Sequence, residues 1–445
     1  MGDDLKVTVA APMTHPRRRS LTFERPTAEA PDKPFTVAGQ PLGAPAYAAA
    51  MVLAFAVLGA RRPSGLFHPN LWAEDGPIFL RSAYLEPWYR SLFHSYNGYL
   101  HFVLRAWAEL ASVLPASAVA AAYAVFALAA YPLCLSVVLS RRLRWLIPSD
   151  GARAALFVSL LLIPGARETI GNLTNALWPI GIGLMLLSFC DAPRTRGGRL
   201  AELVALALGG LTGATSMLLW PAFGLRWWRQ RERHNVVAFG VVLTTAIVQG
   251  LVLVANPRND LGLHPALRTI PRALLLRIWG LLGVGEHTLT WHVFSRPMPI
   301  PLLVLCVLGV GLTVAALLAL PWVVRLHVVI VFGLSLAATA WAYNFNMKGM
   351  AESNAHGRYF LIPTALVVIA VFAAASTATW RRRTVRLAVL APAATLFAFA
   401  VFVDLGLPAL PQTYWAATAK CIDHHQSCTV VVNPRGFSFE LPPIK

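Results

Sequence analysis

Apolar residues in this chain come in long runs, and those runs decide what it can fold into. They cover 41–60, 116–140, 152–164, 173–190, 200–211, 216–225, 236–255, 300–320, 326–343, 359–375 and 387–407. A helix needs roughly 20 apolar residues to cross the hydrocarbon core of a bilayer, fewer where it packs inside protein. The runs predict an all-α integral membrane protein of about eleven transmembrane helices, of which the third, fifth and sixth are short for a crossing. The fifth and sixth read as one kinked helix or as a pair turning at Thr212-Gly213-Ala214. Composition agrees, because 13% of the 445 residues are charged, about half the roughly 25% of a soluble domain. So little charge leaves a soluble surface uncovered, whereas surface that faces lipid excludes charge. The net charge of +18 would point to nucleic acid in a soluble chain. Here nucleic acid is excluded as a partner, and the question becomes which loops hold the cations.

Lys and Arg collect in cytoplasmic loops. With the N-terminus inside, segments 1–40, 141–153, 194–199, 226–233, Arg325 and 381–386 hold 22 of the 38 Lys and Arg. The others are spread over much longer outer loops. Fusing 200–211 with 216–225 would place Arg381-Arg382-Arg383 outside, so the pair is kept. The expected protein is multi-pass in the cell membrane, with a cytoplasmic N-terminus and an extracytoplasmic C-terminus. Residues 1–40, rich in proline and carrying Arg17-Arg18-Arg19, predict a disordered cytoplasmic arm without a cleavable signal peptide. Residues 41–407 form the transmembrane domain and 408–445 an outer tail, in which Thr429-Val430-Val431-Val432 suggests a short strand. Cys134, Cys190 and Cys306 fall in apolar runs and read as small core hydrophobes. Cys421 and Cys428 stand in the outer tail, where thiols oxidise, so a disulfide is expected between them.

The outer loops hold the candidate chemistry. In Trp72-Ala73-Glu74-Asp75-Gly76-Pro77 two adjacent carboxylates precede a backbone-breaking Gly-Pro. Such a pair, held in a partly dry pocket, supplies acid–base catalysis or binds a divalent cation. The plainer reading is an acidic cap for a helix starting near Ile78. After Tyr99, the polar residues His101, Arg105, Glu109 and Ser112 recur three or four apart and make one stripe on a helix over 100–114. That helix lines a cavity, or lies on the membrane and shows its stripe to headgroups. Arg167 and Glu168, with Asn172 and Asn175, form a short outer turn. Lys348, His356 and Arg358 lie in a donor-rich loop, with Arg358 opening the next helix. A guanidinium at a helix start suits a phosphate, and the alternative is a snorkelling anchor. No HExxH, GxxxxGK[ST] or GxSxG pattern occurs, so zinc, nucleotide and serine-hydrolase chemistry are not indicated.

Trp72-Ala73-Glu74-Asp75-Gly76, Gly98-Tyr99-Leu100-His101, Arg105, Gly171 to Trp178 and Arg358-Tyr359-Phe360 resemble a group of bacterial GT-C-like proteins. The GT-C superfamily comprises membrane glycosyltransferases that use polyprenyl-phosphate sugars. The resemblance implies transfer of a sugar from such a donor to an envelope glycan or glycolipid acceptor on the outer face. It implies Asp75 as general base with Glu74 beside it, Arg358 on the donor phosphate, and membrane-surface helices in the first outer loop. Tyr99, His101, Arg105, Arg167, Glu168, Asn172, Asn175, Lys348 and His356 are the accompanying candidates for holding donor or acceptor, and membrane lipid is the surrounding partner. Two other functions remain open, a transporter or flippase of a lipid-linked solute and a non-catalytic partner in envelope assembly. A transporter would need charge near the midplane, where the sequence offers few and mild polar residues such as Thr244, Thr245 and Gln249.

Overall fold

The computed structural model describes residues 36–37, 40–41, 44–257, 269–292, 297–342, 357–376, 383–406, 415–434 and 436–443. The protein is helical throughout apart from short strands. Its longer helices are α1 (Ala44–Arg61), α2 (Phe102–Ser112), α3 (Ala116–Leu135), α4 (Asp150–Leu161), α5 (Leu177–Phe189), α6 (Arg196–Gly210) and α7 (Thr215–Gln230). They continue as α8 (Arg233–Ala255), α9 (Leu281–His292), α10 (Ile300–Ala319), α11 (Trp322–Ala342), α12 (Leu361–Ala375), α13 (Arg383–Val403) and α14 (Trp415–Asp423). In the tail, β1 (Cys428–Val432) and β2 (Phe437–Leu441) form an antiparallel pair with Cys428 opposite Leu441.

Among the described residues, five segments are long and apolar enough to cross a membrane, against the eleven expected: Ala116–Leu139, Arg233–Ala255, Ile300–Ala319, Trp322–Ala342 and Gly357–Ala375. Tyr47–Arg61, Thr174–Phe189 and Leu390–Val403 are apolar but shorter. The runs at 152–164, 200–211 and 216–225 fall in α4, α6 and α7, which bury Arg153, Glu202 and Arg226 respectively. At 12, 15 and 16 residues these helices fall short of a full crossing, and their buried charges are paired inside the protein. The fifth and sixth runs are separate helices, turning where Gly213 has a φ of +93°.

Helix α12 is almost wholly buried and packs against α4, α5, α10 and α11. On α10, by contrast, Leu303, Val304, Val307, Leu308, Val314 and Leu318 are exposed, so the outer helices present apolar faces to the surroundings. Helix α3 buries Ala116, Ala120, Ala124 and Ala127 along one stripe, and these small side chains let neighbouring helices approach closely.

Segment 256–299, read from sequence as an outer loop, contains helix wherever it is described except at its edges. Thr269–Leu274 runs through a π-helical stretch, Leu275–Gly280, into α9, which packs along α13. Gly285 breaks α9 with φ +79° and ψ +163°, a region open essentially to glycine alone. The Asp404 carboxylate then accepts the freed N–H groups of Glu286 (2.7 Å) and His287 (3.0 Å), capping the second half of the helix from a different element. The arm at 1–40 lies outside the described residues apart from Thr36–Val37 and Gln40, where Thr36–Val37 pairs with Gln40–Pro41.

Candidate active site

The carboxylate pair sits on one 3-10 turn, Ala73–Asp75. The tail clamps that turn: the Asn433 N–H donates to the Leu71 carbonyl (2.9 Å), and the Ala73 N–H donates to the Asn433 carbonyl. Phe439 covers Gly76 so closely that any Cβ there would overlap its ring. The Cys421–Cys428 disulfide closes the tail between α14 and β1. Helix α14 docks on α3, where the Trp415 indole N–H donates to the Ala116 carbonyl at 3.2 Å.

On this turn the two carboxylates part company. Asp75 is buried, and its Oδ1 accepts both the backbone N–H (2.7 Å) and the hydroxyl (2.5 Å) of Thr174. Its Oδ2 accepts the Trp72 N–H at 3.1 Å. Burial pushes its pKa up to about 6, while the three donors restrain the rise. Both oxygens are occupied, so Asp75 brackets the first loop to the turn before α5. Its side chain makes no capping bond to the helical stretch that begins at Gly76, and three of its roughly four acceptor sites are taken. Glu74 is half-buried, with Oε1 receiving the Tyr96 hydroxyl (3.3 Å) and Oε2 buried without a hydrogen-bond partner. Of the two, Glu74 keeps an oxygen without a hydrogen-bond partner, whereas Asp75, the base expected from sequence, accepts three protein donors. A shared cation fits poorly, because the Asp75 oxygens already face three donors. Among the described residues, no group of three or more His, Cys, Asp and Glu side chains could hold a metal ion.

Around Glu74 the outer turns converge. Arg358, in the 3-10 turn Gly357–Phe360 that leads into α12, pairs with Glu168 at 3.8 Å and lies 5.3 Å from the Tyr359 ring. Tyr96 lies within electrostatic reach of both Glu74 and Arg358, and burial pushes its phenol up to about 12. Asn172 (2.7 Å) and Asn175 (2.9 Å) donate side-chain amide N–H groups to the Glu168 carbonyl, so they shape the turn that presents Glu168. Glu286 feels the field of Arg167, and both act on Arg62. Lys348 and His356 lie outside the described residues.

The polar stripe of α2 points inward. His101 and Arg105 are each 1% exposed, whereas Leu110, Val113 and Leu114 face outward, the reverse of a helix showing its polar side to headgroups. Asn97-Gly98 makes a two-residue turn, and Tyr99 stacks on His101 at 4.7 Å. Burial and the neighbouring Arg105 drop the His101 pKa to about 3, so the imidazole is neutral. Arg105 carries Nε and Nη1 without hydrogen-bond partners, 5.4 Å from the Phe79 ring.

Sequence reasoning missed Glu286. It is buried beside Asp404, Glu168, Arg167 and Arg277, and burial pushes its pKa up to about 7. It also missed Arg62, whose Nη1 donates to the Ile170 carbonyl at 2.7 Å. The one signal for Glu286 was a single acid in the otherwise uncharged stretch 278–291. Comparison with family models, with curated proteins and with solved structures finds no match to this chain.

Proposed function

We propose that this protein is a multi-pass membrane glycosyltransferase of the GT-C kind, transferring a sugar from a polyprenyl-phosphate donor to an acceptor on the outer face. The carrying observation is Glu74: a half-buried carboxylate with one unpartnered oxygen, on a rigid turn near Arg358. In this reading Glu74 takes the proton of the acceptor hydroxyl, whose oxygen attacks the anomeric carbon. The bond from that carbon to the phosphate oxygen breaks, and its electron pair leaves on the lipid phosphate. Arg358, with Arg167 and Arg62 nearby, supplies positive charge for that leaving group. The membrane setting is supported by the five apolar helices and the exposed apolar faces of the outer ones. The proposed orientation puts the N-terminus in the cytoplasm and both the Glu74 turn and the tail outside, from the distribution of Lys and Arg.

A transporter is less well supported. Gln249, one of the mid-span polar residues read from the sequence, is engaged by the backbone of Leu100, Gly210 and Gly213. The test is donor binding by purified protein. Arg358→Lys should weaken the affinity for a polyprenyl-phosphate sugar and Arg358→Ala should weaken it further, because lysine offers a point charge where arginine offers a fork. Unchanged binding in Arg358→Ala removes the residue from the donor site.

A further inference from the structure

At the far end of α3 from the Glu74 turn, a cleft of about 1060 Å³ opens between the 140–145 turn, the 191–199 turn and the end of α7. The helix between the two ends is about 30 Å long at 1.5 Å per residue. Six arginines line the cleft, Arg141, Arg142, Arg144, Arg194, Arg199 and Arg229, against two carboxylates, Asp191 and Glu232. We propose that this cleft binds a phosphate-bearing anion, either the headgroup of an acidic membrane lipid or a soluble diphosphate.

Three observations carry the assignment. Arg142, Arg199 and Arg229 are organised by contacts that use part of each guanidinium, which has five N–H donors. Arg142 gives Nε to the Asp191 carbonyl (2.6 Å) and pairs with the buried Glu202. Arg199 gives Nε to the Pro193 carbonyl at 3.0 Å. Arg229 lies 3.6 Å above the Trp145 ring and pairs with Asp191 at 3.0 Å, fixing its plane. Second, the charge behind the lining does not cancel the surplus, because Asp150 is shared by Arg144 and Arg153, and Glu202 by Arg142, Arg226 and His234. A planar, oriented set of guanidiniums in excess over carboxylates matches the several oxygens of a phosphate better than a single carboxylate. Third, Ser140 directly follows the apolar segment Ala116–Leu139, and Glu232 directly precedes Arg233–Ala255. The cleft thus joins the same-side ends of two membrane-length helices, at the level where lipid headgroups would lie.

The experiment titrates full-length protein in neutral detergent with inorganic pyrophosphate, short-chain phosphatidic acid and short-chain phosphatidylcholine, read by calorimetry. The cleft variant combines Arg141→Gln, Arg194→Gln and Arg199→Gln, all at exposed positions that leave the Arg142–Glu202 and Arg229–Asp191 pairs in place. A control variant removes three exposed cations elsewhere, Arg81→Gln, Arg90→Gln and Lys420→Gln. Saturable binding of phosphatidic acid or pyrophosphate, at least tenfold weaker in the cleft variant and intact in the control, is the expected result. Phosphatidic acid alone identifies a lipid headgroup, and pyrophosphate binding identifies a soluble ligand. The proposal is overturned if neither probe saturates, if phosphatidylcholine binds equally well, or if the control loses as much as the cleft variant. Thermal melting of each variant separates lost binding from lost folding.

Discussion

At the scale of single residues, adjacency in sequence concealed a difference in surroundings. Glu74-Asp75 announces itself as a pair, but how far Asp75 is engaged by protein donors depends on Thr174, 99 positions away, and no local pattern carries that information. The stripe on α2 shows the same limit. Its spacing was legible, yet whether it faced water or protein was fixed by the aromatic residues that enclose His101. Thr174→Val keeps the shape of the side chain and removes the hydroxyl that donates to Asp75. It should cost about 1–3 kcal/mol, because a buried charged acceptor loses a donor, and it should lower the melting temperature of the detergent-solubilised protein. A melting curve indistinguishable from wild type would mean that the bracket does not hold the first loop.

Glu286 gives a prediction in pH. Its folded pKa, about 7, lies above the ordinary carboxyl value of 4.5, so the folded protein binds this proton more tightly than the unfolded chain. The associated stability is complete below about 4.5 and is lost as the pH rises through about 7, on the order of 3 kcal/mol at most. Wild type should therefore lose melting temperature between pH 5 and pH 8 more steeply than Glu286→Gln, which stays neutral. Parallel pH profiles in the two proteins would contradict the buried placement of this carboxyl.

Among elements, the break in α9 is the least legible feature and one of the most tightly specified. The stretch 269–292 carries Pro271, Arg272, Arg277 and several glycines, so its apolar pattern never reaches span length and reads as loop. It is helical because α10 and α13 pack on it and Asp404 caps its second half. Gly285→Ala would force a Cβ into a region of φ and ψ that only glycine occupies freely, 2.9 Å from the Ala400 carbonyl oxygen. The cost should be about 1–3 kcal/mol, visible as a lowered melting temperature and faster proteolysis of this segment. A neutral substitution would show that α9 and α13 are not docked as described. The tail was easier to read, since its Val-rich strand and its two cysteines are close in sequence. Denatured without reductant, the protein should expose three reactive thiols, Cys134, Cys190 and Cys306, and with reductant all five. Five without reductant would contradict the bridge.

At the scale of the molecule, the apolar runs anticipated an all-α chain with membrane-length helices, but overstated their number, which is five among the described residues. Helices α4, α6 and α7, of 12, 15 and 16 residues, are too short for a full crossing and bury charges besides. The account rests on one carboxylate and one donor class, and a single assay addresses both. Purified wild-type protein and Glu74→Gln would be reconstituted with radiolabelled polyprenyl-phosphate sugars and scored for release or transfer of the label. Wild type should turn over at least one donor, with Glu74→Gln slower by roughly 10²–10⁴ while melting like wild type. Turnover by Glu74→Gln at the wild-type rate, or no turnover by wild type with any donor in the panel, would contradict it.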